Sequence, residues 1–458
     1  MLTTNLWSHQ QAGLDFLRAN PGALLAYDMG TGKTLTTLAR IAEMPRGSKI
    51  LILCPLAVIP TWPEEFEKHM DRKAWPHQIL PLVKGGGAAK AQRIRDLFDK
   101  SPPHHSKVVV LNYEMAWRAA MGPTLLGIPW DLVVFDESHK IKSDTGKASK
   151  FCARLPGKIR IAMTGTPMPH SPLDIFAQAR ALHLRHYGYS YVRFRNKFAI
   201  MEEVRLRARV VRKPSGRFQH MEEFQQLLKK WAVQVKADDV LDLPDKRDVK
   251  IPVELTAKEL AAYKRMEDHL VAQVEDGTLT ASNAAVKLMK LAQMTGGSCL
   301  DEFGELIHVG DSKREALKEI MEGLPEDEPL VVFARFRSDL EAIKLMSEVC
   351  GRKALELSGG ANELKEWKAG AGTVLAVQMQ AGGAGIDLTR ACKAVYYSIS
   401  FSMGDYDQTR ARIHRPGQER KVTYFHLAAK GTIDERIYAL LGKRRDLIEG
   451  ILEVLKKD

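Results

Sequence analysis

The apolar positions of this chain fall into short runs, separated by longer stretches with the 3.6-residue period of amphipathic helices. Runs rich in Val, Ile and Leu are typical of strands buried on both faces of a parallel sheet, and the stretches between them suit the crossover helices of such a sheet. The first series comprises ALLAY (23–27), KILILC (49–54), VVVL (108–111), LVVFD (132–136) and IRIAMT (159–164).

A second series comprises LVVFA (330–334), TVLAVQ (373–378), AVYYS (394–398) and VTYFHL (422–427). Two α/β lobes are the simplest interpretation. Between them lies a charged stretch with helical periodicity, clearest in FQQLLKKWAVQV (224–235) and ELAAYKRMEDHLVAQV (259–274). We therefore predict a first lobe over 1–185, helical insertions and a linker over 186–300, and a second lobe over 301–458 that ends in a brace helix.

The strongest local signal is LLAYDMGTGKTLTTLARI (24–41), a strand followed by a glycine-rich turn and a helical pattern. Glycines allow backbone N–H groups to approach phosphates, a lysine neutralises the β and γ phosphates, and a hydroxyl binds Mg²⁺. A strict phosphate-loop pattern has glycine where this chain has Tyr27, so the motif is a variant. The alternative is a glycine turn with a chance lysine. The residues predicted to contact nucleotide are Gly30, Thr31, Gly32, Lys33 and Thr34.

Two adjacent carboxylates follow the strand LVVF, at the end where parallel sheets bind ligands. Asp136 is predicted to hold Mg²⁺, and Glu137 to orient and deprotonate the attacking water. The alternative is a solvated acidic loop or a helix N-cap. His139 is more often a structural group than a catalyst in such a position.

The net charge narrows the range of binding partners that we expect for the chain. A formal net charge of +12 and a pI near 9.3 favour polyanions, either nucleic acid or an anionic membrane. No apolar run is long enough to span a bilayer, and MLTTNLWSHQ does not resemble a signal peptide. The five cysteines are scattered and odd in number, which favours a reducing compartment. We expect a cytoplasmic protein of a bacterial cell or a viral host, or a nuclear one in a eukaryote.

Together these motifs resemble the helicase-like ATPases of superfamily two, and within them the SWI/SNF-like DNA translocases, over nearly the whole chain. The resemblance implies two RecA-like parallel-sheet lobes, with ATP and Mg²⁺ as cofactors. It implies that Gln10, in LWSHQQAGLDFL, reads the adenine base beside the small Gly13. MTGTPMPHSPLDIF resembles the element that couples hydrolysis to lobe movement. The first-lobe DNA contacts that it implies are Pro55, Trp62, Tyr113, Lys142 and Thr164.

In the second half, VKADDVLDLPDK (235–246) resembles the linker of the SWI/SNF-like branch, although Val233 and Gln234 stand where the family has paired arginines. QMQAGGAGIDLTRA and DQTRARIHRPGQ resemble the family's glycine-rich element and its arginine-finger motif. An arginine delivered by a second lobe would make hydrolysis depend on lobe closure. The residues carried over are Gly383 for DNA, Gly385 and Asp387 for nucleotide, and Arg412 and Arg415 for catalysis.

One basic segment matches no motif. EVRLRARVVRKPSGRF places Arg205, Arg207 and Arg209 at period two, on one face of a possible strand that precedes a turn at 214–216. This predicts a hairpin that grips DNA. A charged, solvated edge strand is the alternative.

The expected function is an ATP-dependent DNA translocase or remodeller that acts on duplex or branched DNA. A strand-separating helicase and a catalytically idle nucleic-acid-binding scaffold are the alternatives. We expect a monomer with no membrane partner, and a targeting protein is a candidate partner.

Overall fold

The structure is a computed structural model that describes residues 1–169, 171–206, 209–275, 281–300, 305–381, 386–400 and 403–438. For residues 204–206, 209, 269–275 and 281–287 it describes the backbone alone. Internal contacts divide the chain into two compact units at Leu241 and Asp242. This point lies inside the segment that the sequence predicts as insertions and linker.

Within its described residues, unit 1 is built on a seven-stranded sheet in the order β3-β4-β2-β5-β6-β1-β9. Every neighbouring pair is parallel. Five of its central strands coincide with the predicted apolar runs, because side chains on both faces are covered and must be apolar. The strands of the sheet are β1 (Gly22–Tyr27), β2 (Lys49–Cys54), β3 (His77–Pro81), β4 (Ser106–Asn112), β5 (Trp130–Asp136), β6 (Gly157–Met163) and β9 (Ala232–Val235). Unit 1 also contains β7 (Ala199–Leu206) and β8 (Arg209–Phe218), outside this sheet.

Helices cover both faces of this sheet, and two separate apolar cores lie against its two sides. The α-helices are α1 (Ser8–Ala19), α2 (Lys33–Ala42), α3 (Thr61–His69), α4 (Gly87–Lys100), α5 (Tyr113–Ala116), α6 (Gly122–Leu126), α7 (Lys147–Cys152), α8 (Ile175–Ala181), α9 (Tyr191–Phe198), α10 (Met221–Lys229) and α11 (Ala237–Val240). Short 3₁₀ turns span Leu56–Val58, Ser138–Ile141 and Pro172–Asp174.

Two sequence predictions for unit 1 were wrong in part. The helical segment predicted over 224–235 is helical only to Lys229, and its AVQV portion forms β9, which pairs with β1 at the sheet edge. The turn predicted at 214–216 lies inside β8, and β7 and β8 form a separate antiparallel pair. The predicted arginine row is therefore divided, with Arg205 in β7, Arg209 in β8 and Arg207 outside the described residues.

Within its described residues, unit 2 is built on a six-stranded parallel sheet in the order β10-β17-β16-β13-β15-β14. The strands of this sheet are β10 (Lys246–Val253), β13 (Leu330–Ala334), β14 (Ala354–Leu357), β15 (Val374–Gln378), β16 (Lys393–Tyr396) and β17 (Val422–Ala429). A separate antiparallel pair is formed by β11 (Ser298–Leu300) and β12 (Leu306–His308). The helices of unit 2 are α12 (Ala257–Glu275), α13 (Ala281–Thr295), α14 (Ser312–Glu322), α15 (Arg337–Val349), α16 (Leu364–Lys368) and α17 (Met403–Ile413).

These two sheets confirm the predicted fold class, an α/β chain with two parallel-sheet lobes and helical insertions. The predicted brace helix at the C-terminus lies outside the described residues. Among the helices in the described ranges, none combines the length and apolar character needed to cross a membrane.

Candidate functional site

The phosphate-loop segment joins the end of β1 to the start of α2. Gly30 and Gly32 have φ values of 82° and 87°, a left-handed conformation that glycine adopts without strain. Lys33 begins α2 and its Nζ donates to the carbonyls of Tyr27 (2.8 Å) and Asp28 (3.1 Å). The lysine ammonium therefore lies within the loop that is predicted to bind a polyphosphate, close to the carbonyls at its start.

Helix α1 packs directly against this loop. The buried Gln10 donates through Nε2 to the carbonyl of Thr31 (3.2 Å), and a Cβ added at Gly32 would lie 2.1 Å from the same Nε2. Tyr27 fills the position where the strict motif has glycine. Its hydroxyl donates to the carbonyl of His9 (3.0 Å), and a Cβ at Gly13 would collide with that hydroxyl. Tyr27 therefore fixes α1 against the loop, and the small Gly13 leaves room for the phenol.

The acidic pair lies at the end of β5, beside the phosphate loop. Asp136 is buried, and its Oδ2 accepts from Trp62 Nε1 (3.2 Å) while its carbonyl accepts from the Tyr113 hydroxyl (2.8 Å). Burial and the neighbouring Glu137 carboxylate raise the pKa of Asp136 well above its usual range, and the Lys33 ammonium opposes the shift. The lysine of the loop and the carboxylate of the strand thus act on each other electrostatically.

Glu137 adopts φ 50° and ψ 53°, a left-handed conformation that is uncommon outside glycine. Thr164 Oγ1 donates to Glu137 Oε2 (3.3 Å), and His139 Nδ1 lies 3.3 Å from that oxygen and 3.0 Å from Thr164 Oγ1. One carboxylate oxygen is therefore held by a hydroxyl and an imidazole. Such a group can orient a water molecule and accept its proton.

The TGTP segment, Thr164 to Pro167, lies between the two parts of the site. A Cβ at Gly165 would lie 3.4 Å from the Tyr27 carbonyl and 3.7 Å from Lys33 Nζ, so this segment packs on the phosphate loop. Thr164 is fully buried and its hydroxyl also accepts from the Thr166 amide (3.1 Å). The three predicted elements of the first lobe therefore form one contiguous site.

Three predicted DNA contacts, Trp62, Tyr113 and Thr164, lie in the interior instead. Trp62 is 1% exposed and Tyr113 is 2% exposed, and both side chains donate to Asp136. A buried side chain cannot touch a phosphate backbone, so their role is to support the acidic strand end. Thr164 is buried in the same way. Pro55 and Lys142 are half-buried, each next to a 3₁₀ turn.

The donors present suit magnesium. Carboxylate and hydroxyl oxygens are the ligands that Mg²⁺ prefers, and the site offers Asp136 together with Thr34 in the first turn of α2. The Glu137 carboxylate raises the pKa of the adjacent Asp136, and a divalent cation between or beside the two groups would offset their repulsion.

In unit 2, the predicted arginines lie at and just after the end of α17. Arg415 Nη1 donates to the carbonyl of Ile386 (3.2 Å), and the Arg412 carbonyl accepts from the Leu388 amide (2.9 Å). Asp387, between those two partners, accepts from the Thr389 amide and hydroxyl. Burial acts to raise the pKa of Asp387, but these hydrogen bonds and nearby cations lower it. The structure therefore brings Asp387, Arg412 and Arg415 together. Gly383 and Gly385 lie outside the described residues.

A cluster that the sequence analysis did not identify holds α17 in place. The buried Arg410 makes two hydrogen bonds to Asp248 on β10, and His426 on β17 lies 2.9 Å from the same carboxylate. The Arg410 guanidinium also lies over the Tyr424 ring, 4.2 Å from its centre. His414 Nε2 is 2.7 Å from the Pro244 carbonyl. The arginine-bearing segment is thus pinned to the strand that follows the unit boundary.

Two families of known proteins match the chain. The SNF2-related domain family matches residues 9–298, and the helicase conserved C-terminal domain family matches residues 312–417. The first match covers more than half of the chain and includes the phosphate loop, the acidic pair and the TGTP segment.

Relatives of similar and of greater length align with the chain. Protein p41 of Acyrthosiphon pisum secondary endosymbiont phage 1 is 27% identical, with 97% of this chain and 96% of the relative covered. The uncharacterized ATP-dependent helicase YqhH of Bacillus subtilis is 25% identical, with 95% and 77% covered. Chromodomain-helicase-DNA-binding protein 1-like of Danio rerio is 24% identical over 95% of this chain, which spans 42% of that protein.

Among solved structures, the chain is similar to the Sulfolobus solfataricus SWI2/SNF2 ATPase core in complex with dsDNA. The two chains are 24% identical, the match covers 98% of this chain and 93% of the other, and the TM-score is 0.44.

Proposed function

The chain belongs to the SNF2-related family and is a helicase-like ATPase, and from that premise we propose that it is a DNA translocase that hydrolyses ATP on duplex or branched DNA and moves along the backbone. The observation that carries the hydrolytic part is the single site formed in unit 1 by the phosphate loop, the acidic turn and the TGTP segment.

Each residue of this site has a distinct task in the proposal. Lys33 neutralises the β and γ phosphates, and Asp136 with Thr34 holds the magnesium ion, which supplies charge neutralisation on the phosphates when bound. Glu137 orients the attacking water and accepts its proton. Thr164 and His139 keep that carboxylate in place. The catalytic role of Arg412 and Arg415 in unit 2 stays a prediction from the sequence.

Charge supports DNA as the polymer. The net charge of +12 favours a polyanion, and residues 199–218, which span β7 and β8, hold six Arg or Lys against two Glu. The base of this hairpin is anchored, because Ala199 is buried and its neighbour Phe198 packs edge-on against Phe224. Beyond the base, Arg212 and Lys213 are exposed, with 67% and 56% of their side-chain surfaces accessible. We propose that this hairpin contacts the phosphate backbone.

The first experiment measures ATP hydrolysis by wild type and Lys33→Ala, without polymer and with duplex DNA, branched DNA, single-stranded DNA or RNA. We expect duplex or branched DNA to stimulate wild type at least about 10-fold and Lys33→Ala to stay at background, since its phosphate contact is lost. Stimulation by single strands or RNA alone would contradict the proposal.

A second assay separates translocation from strand separation. A translocating protein displaces a third strand from a triplex without opening the duplex beneath it, whereas an unwinding helicase also separates a forked duplex. We expect displacement of the third strand and no separation of the fork. Separation of the fork at a comparable rate would favour the strand-separating helicase.

The hairpin is tested with Arg205, Arg207 and Arg209 all changed to Ala. We expect DNA affinity to fall and the slope of log affinity against log salt to become shallower by about 2 to 3, one for each lost phosphate contact. The matched control removes three exposed cations, Arg46, Lys100 and Lys158, that lie outside the hairpin and the candidate site. Equal losses in both triple variants would mean that only net charge matters and would reject the hairpin contact.

A further inference from the structure

A buried glutamine links two loops of the hydrolytic site. Gln178 is fully buried on α8, and its Oε1 accepts from the Ser138 hydroxyl (2.7 Å). Its Nε2 donates to the carbonyls of Pro167 (2.6 Å) and Asp174 (3.0 Å). Ser138 directly follows the acidic pair and Pro167 ends the TGTP segment. One side-chain amide thus connects both.

The surroundings of Gln178 make this connection rigid. The neighbouring helix positions, Ile175, Phe176, Ala177 and Ala179, are all buried and apolar. An amide in such a core is stable only when its polar atoms are hydrogen-bonded, and here both N–H groups and the oxygen have partners. Ser138 is also fully buried. Because both side chains are buried, their hydrogen bonds are shielded from solvent and hold the two loops at a set distance through α8.

The connection bears on the catalytic carboxylate. Glu137 adopts a left-handed conformation although it is not glycine, and such a conformation persists only where the surrounding structure enforces it. Gln178 holds the next residue, Ser138, on one side. On the other, it holds the segment whose Thr164 donates to Glu137 Oε2. Two of the restraints on Glu137 therefore lead back to the same amide, beside the contact that His139 makes with its carboxylate.

We propose that Gln178 and Ser138 are positioning residues for hydrolysis, which fix the Glu137 carboxylate relative to the TGTP segment. The proposal rests on the ATPase activity and on the assigned role of Glu137, but not on translocation. It requires that their loss lowers kcat and leaves nucleotide binding nearly unchanged, because the hydrogen bonds of Gln178 to described residues go to Ser138, Pro167 and Asp174, outside the phosphate loop.

The test compares Gln178→Met, Ser138→Ala and the control Ser149→Ala in the full chain. Ser149 is a buried serine of α7 in unit 1 whose hydroxyl donates to the carbonyls of Ser143 and Gly146, so its loss costs a buried hydrogen bond away from Gln178 and Glu137. For each variant we would measure the melting temperature, binding of a fluorescent ADP analogue, and kcat and KM for ATP.

We expect Gln178→Met to lower kcat about 10- to 100-fold, with KM and ADP-analogue affinity within about 3-fold of wild type. Ser138→Ala should lower kcat less, about 3- to 10-fold, because Gln178 still holds Pro167. Ser149→Ala should leave kcat unchanged. If Gln178→Met does not fold, the comparison of Ser138→Ala with Ser149→Ala tests the same proposal.

The proposal is overturned if the kcat of Ser138→Ala and Gln178→Met matches that of Ser149→Ala, or if KM rises while kcat is retained. These measurements need only ATP hydrolysis by wild type. A wild type that hydrolyses ATP without stimulation by duplex DNA would reject the translocase proposal and leave this comparison intact.

Discussion

The two units hold their candidate catalytic segments in opposite ways. In unit 1, the acidic turn is fixed by neutral donors: the Trp62 indole, the Tyr113 hydroxyl, and the Ser138–Gln178 pair. In unit 2, the helix that carries Arg412 is fixed by an ion pair between Arg410 and Asp248, which His426 also contacts. Neutral donors thus support the acidic turn next to the His139 imidazole, whereas an ion pair of its own, apart from Arg412 and Arg415, holds the arginine helix.

The difference follows from the chemical task that is predicted for each segment. A cation paired directly with a carboxylate would compete with magnesium for its oxygens, so uncharged donors such as an indole N–H suit the support of Asp136. In unit 2, one arginine can be used for attachment because others in the same segment, Arg412 and Arg415, are predicted to act. A dedicated carboxylate, Asp248, satisfies the attaching arginine.

The largest expected effect is on the carboxylate that the neutral contacts hold. Glu137→Gln keeps the size of the side chain but removes the proton acceptor, so we expect kcat to fall about 10²- to 10⁴-fold while ATP still binds. Single-turnover hydrolysis and ADP-analogue binding measure the two properties. Retention of more than a tenth of the wild-type kcat would mean that Glu137 is not the general base.

The ion pair of unit 2 should respond asymmetrically to removal of either partner. Asp248→Ala leaves the buried Arg410 cation without its carboxylate. We expect a loss of about 2 to 3 kcal/mol, below the value for a fully buried pair because Asp248 is 48% exposed. Arg410→Met should cost less, since water can solvate the remaining carboxylate. Lys421→Ala, which breaks the exposed pair with Asp245, is the control. Urea unfolding measures the free energy of unfolding of all three variants. Equal losses for Asp248→Ala and Arg410→Met would contradict the expected asymmetry.

Trp62 provides a smaller test of the neutral contacts. Trp62→Phe keeps a buried ring but removes the indole donor to Asp136, which should cost about 1 to 2 kcal/mol of stability and lower kcat several-fold. DNA affinity should stay the same, because the ring is buried. A selective loss of DNA affinity with unchanged stability would restore the original prediction of a DNA contact.

The smallest expected effect is a pH dependence in unit 2. Burial lowers the pKa of His426, an effect that Asp248 opposes only in part. Because the folded state binds the proton less readily, the unfolded chain takes it up first as the pH falls below about 6.5, and stability decreases. His426→Gln should weaken the fall in melting temperature between pH 7.5 and 5.5. If the melting temperature of the variant falls as much as that of wild type, groups other than His426 cause the pH dependence.

Much of the fold and of the hydrolytic site could be predicted because the signals are local. Strands buried on both faces must be apolar, so the runs that became β2 and β13 were recognised with their bounds intact. The phosphate loop and the acidic pair are contiguous in sequence, and their chemistry fixes the residue types. Edge strands such as β9 carry a weaker signal, and there the pattern was mistaken for a helix.

The supporting residues could not be predicted in the same way. Gln178 left one trace, a lone amide among apolar helix positions, but nothing in the sequence states that its partners are Ser138 and Pro167, 40 and 11 positions away. Trp62 and Tyr113 looked like surface residues of a nucleic-acid face. Their burial follows from tertiary packing, which places Trp62 in one apolar core of unit 1 and Tyr113 in the other.

The sequence by itself determined the two parallel-sheet lobes and the nucleotide chemistry, because period and residue type dictate both. The tertiary structure alone decided which neutral groups hold the acidic turn, and which carboxylate holds the arginine helix. Asp248 and Arg410 are 162 positions apart. Hydrogen bonds across such separations depend on how strands and helices are ordered in space, and no local pattern encodes that order.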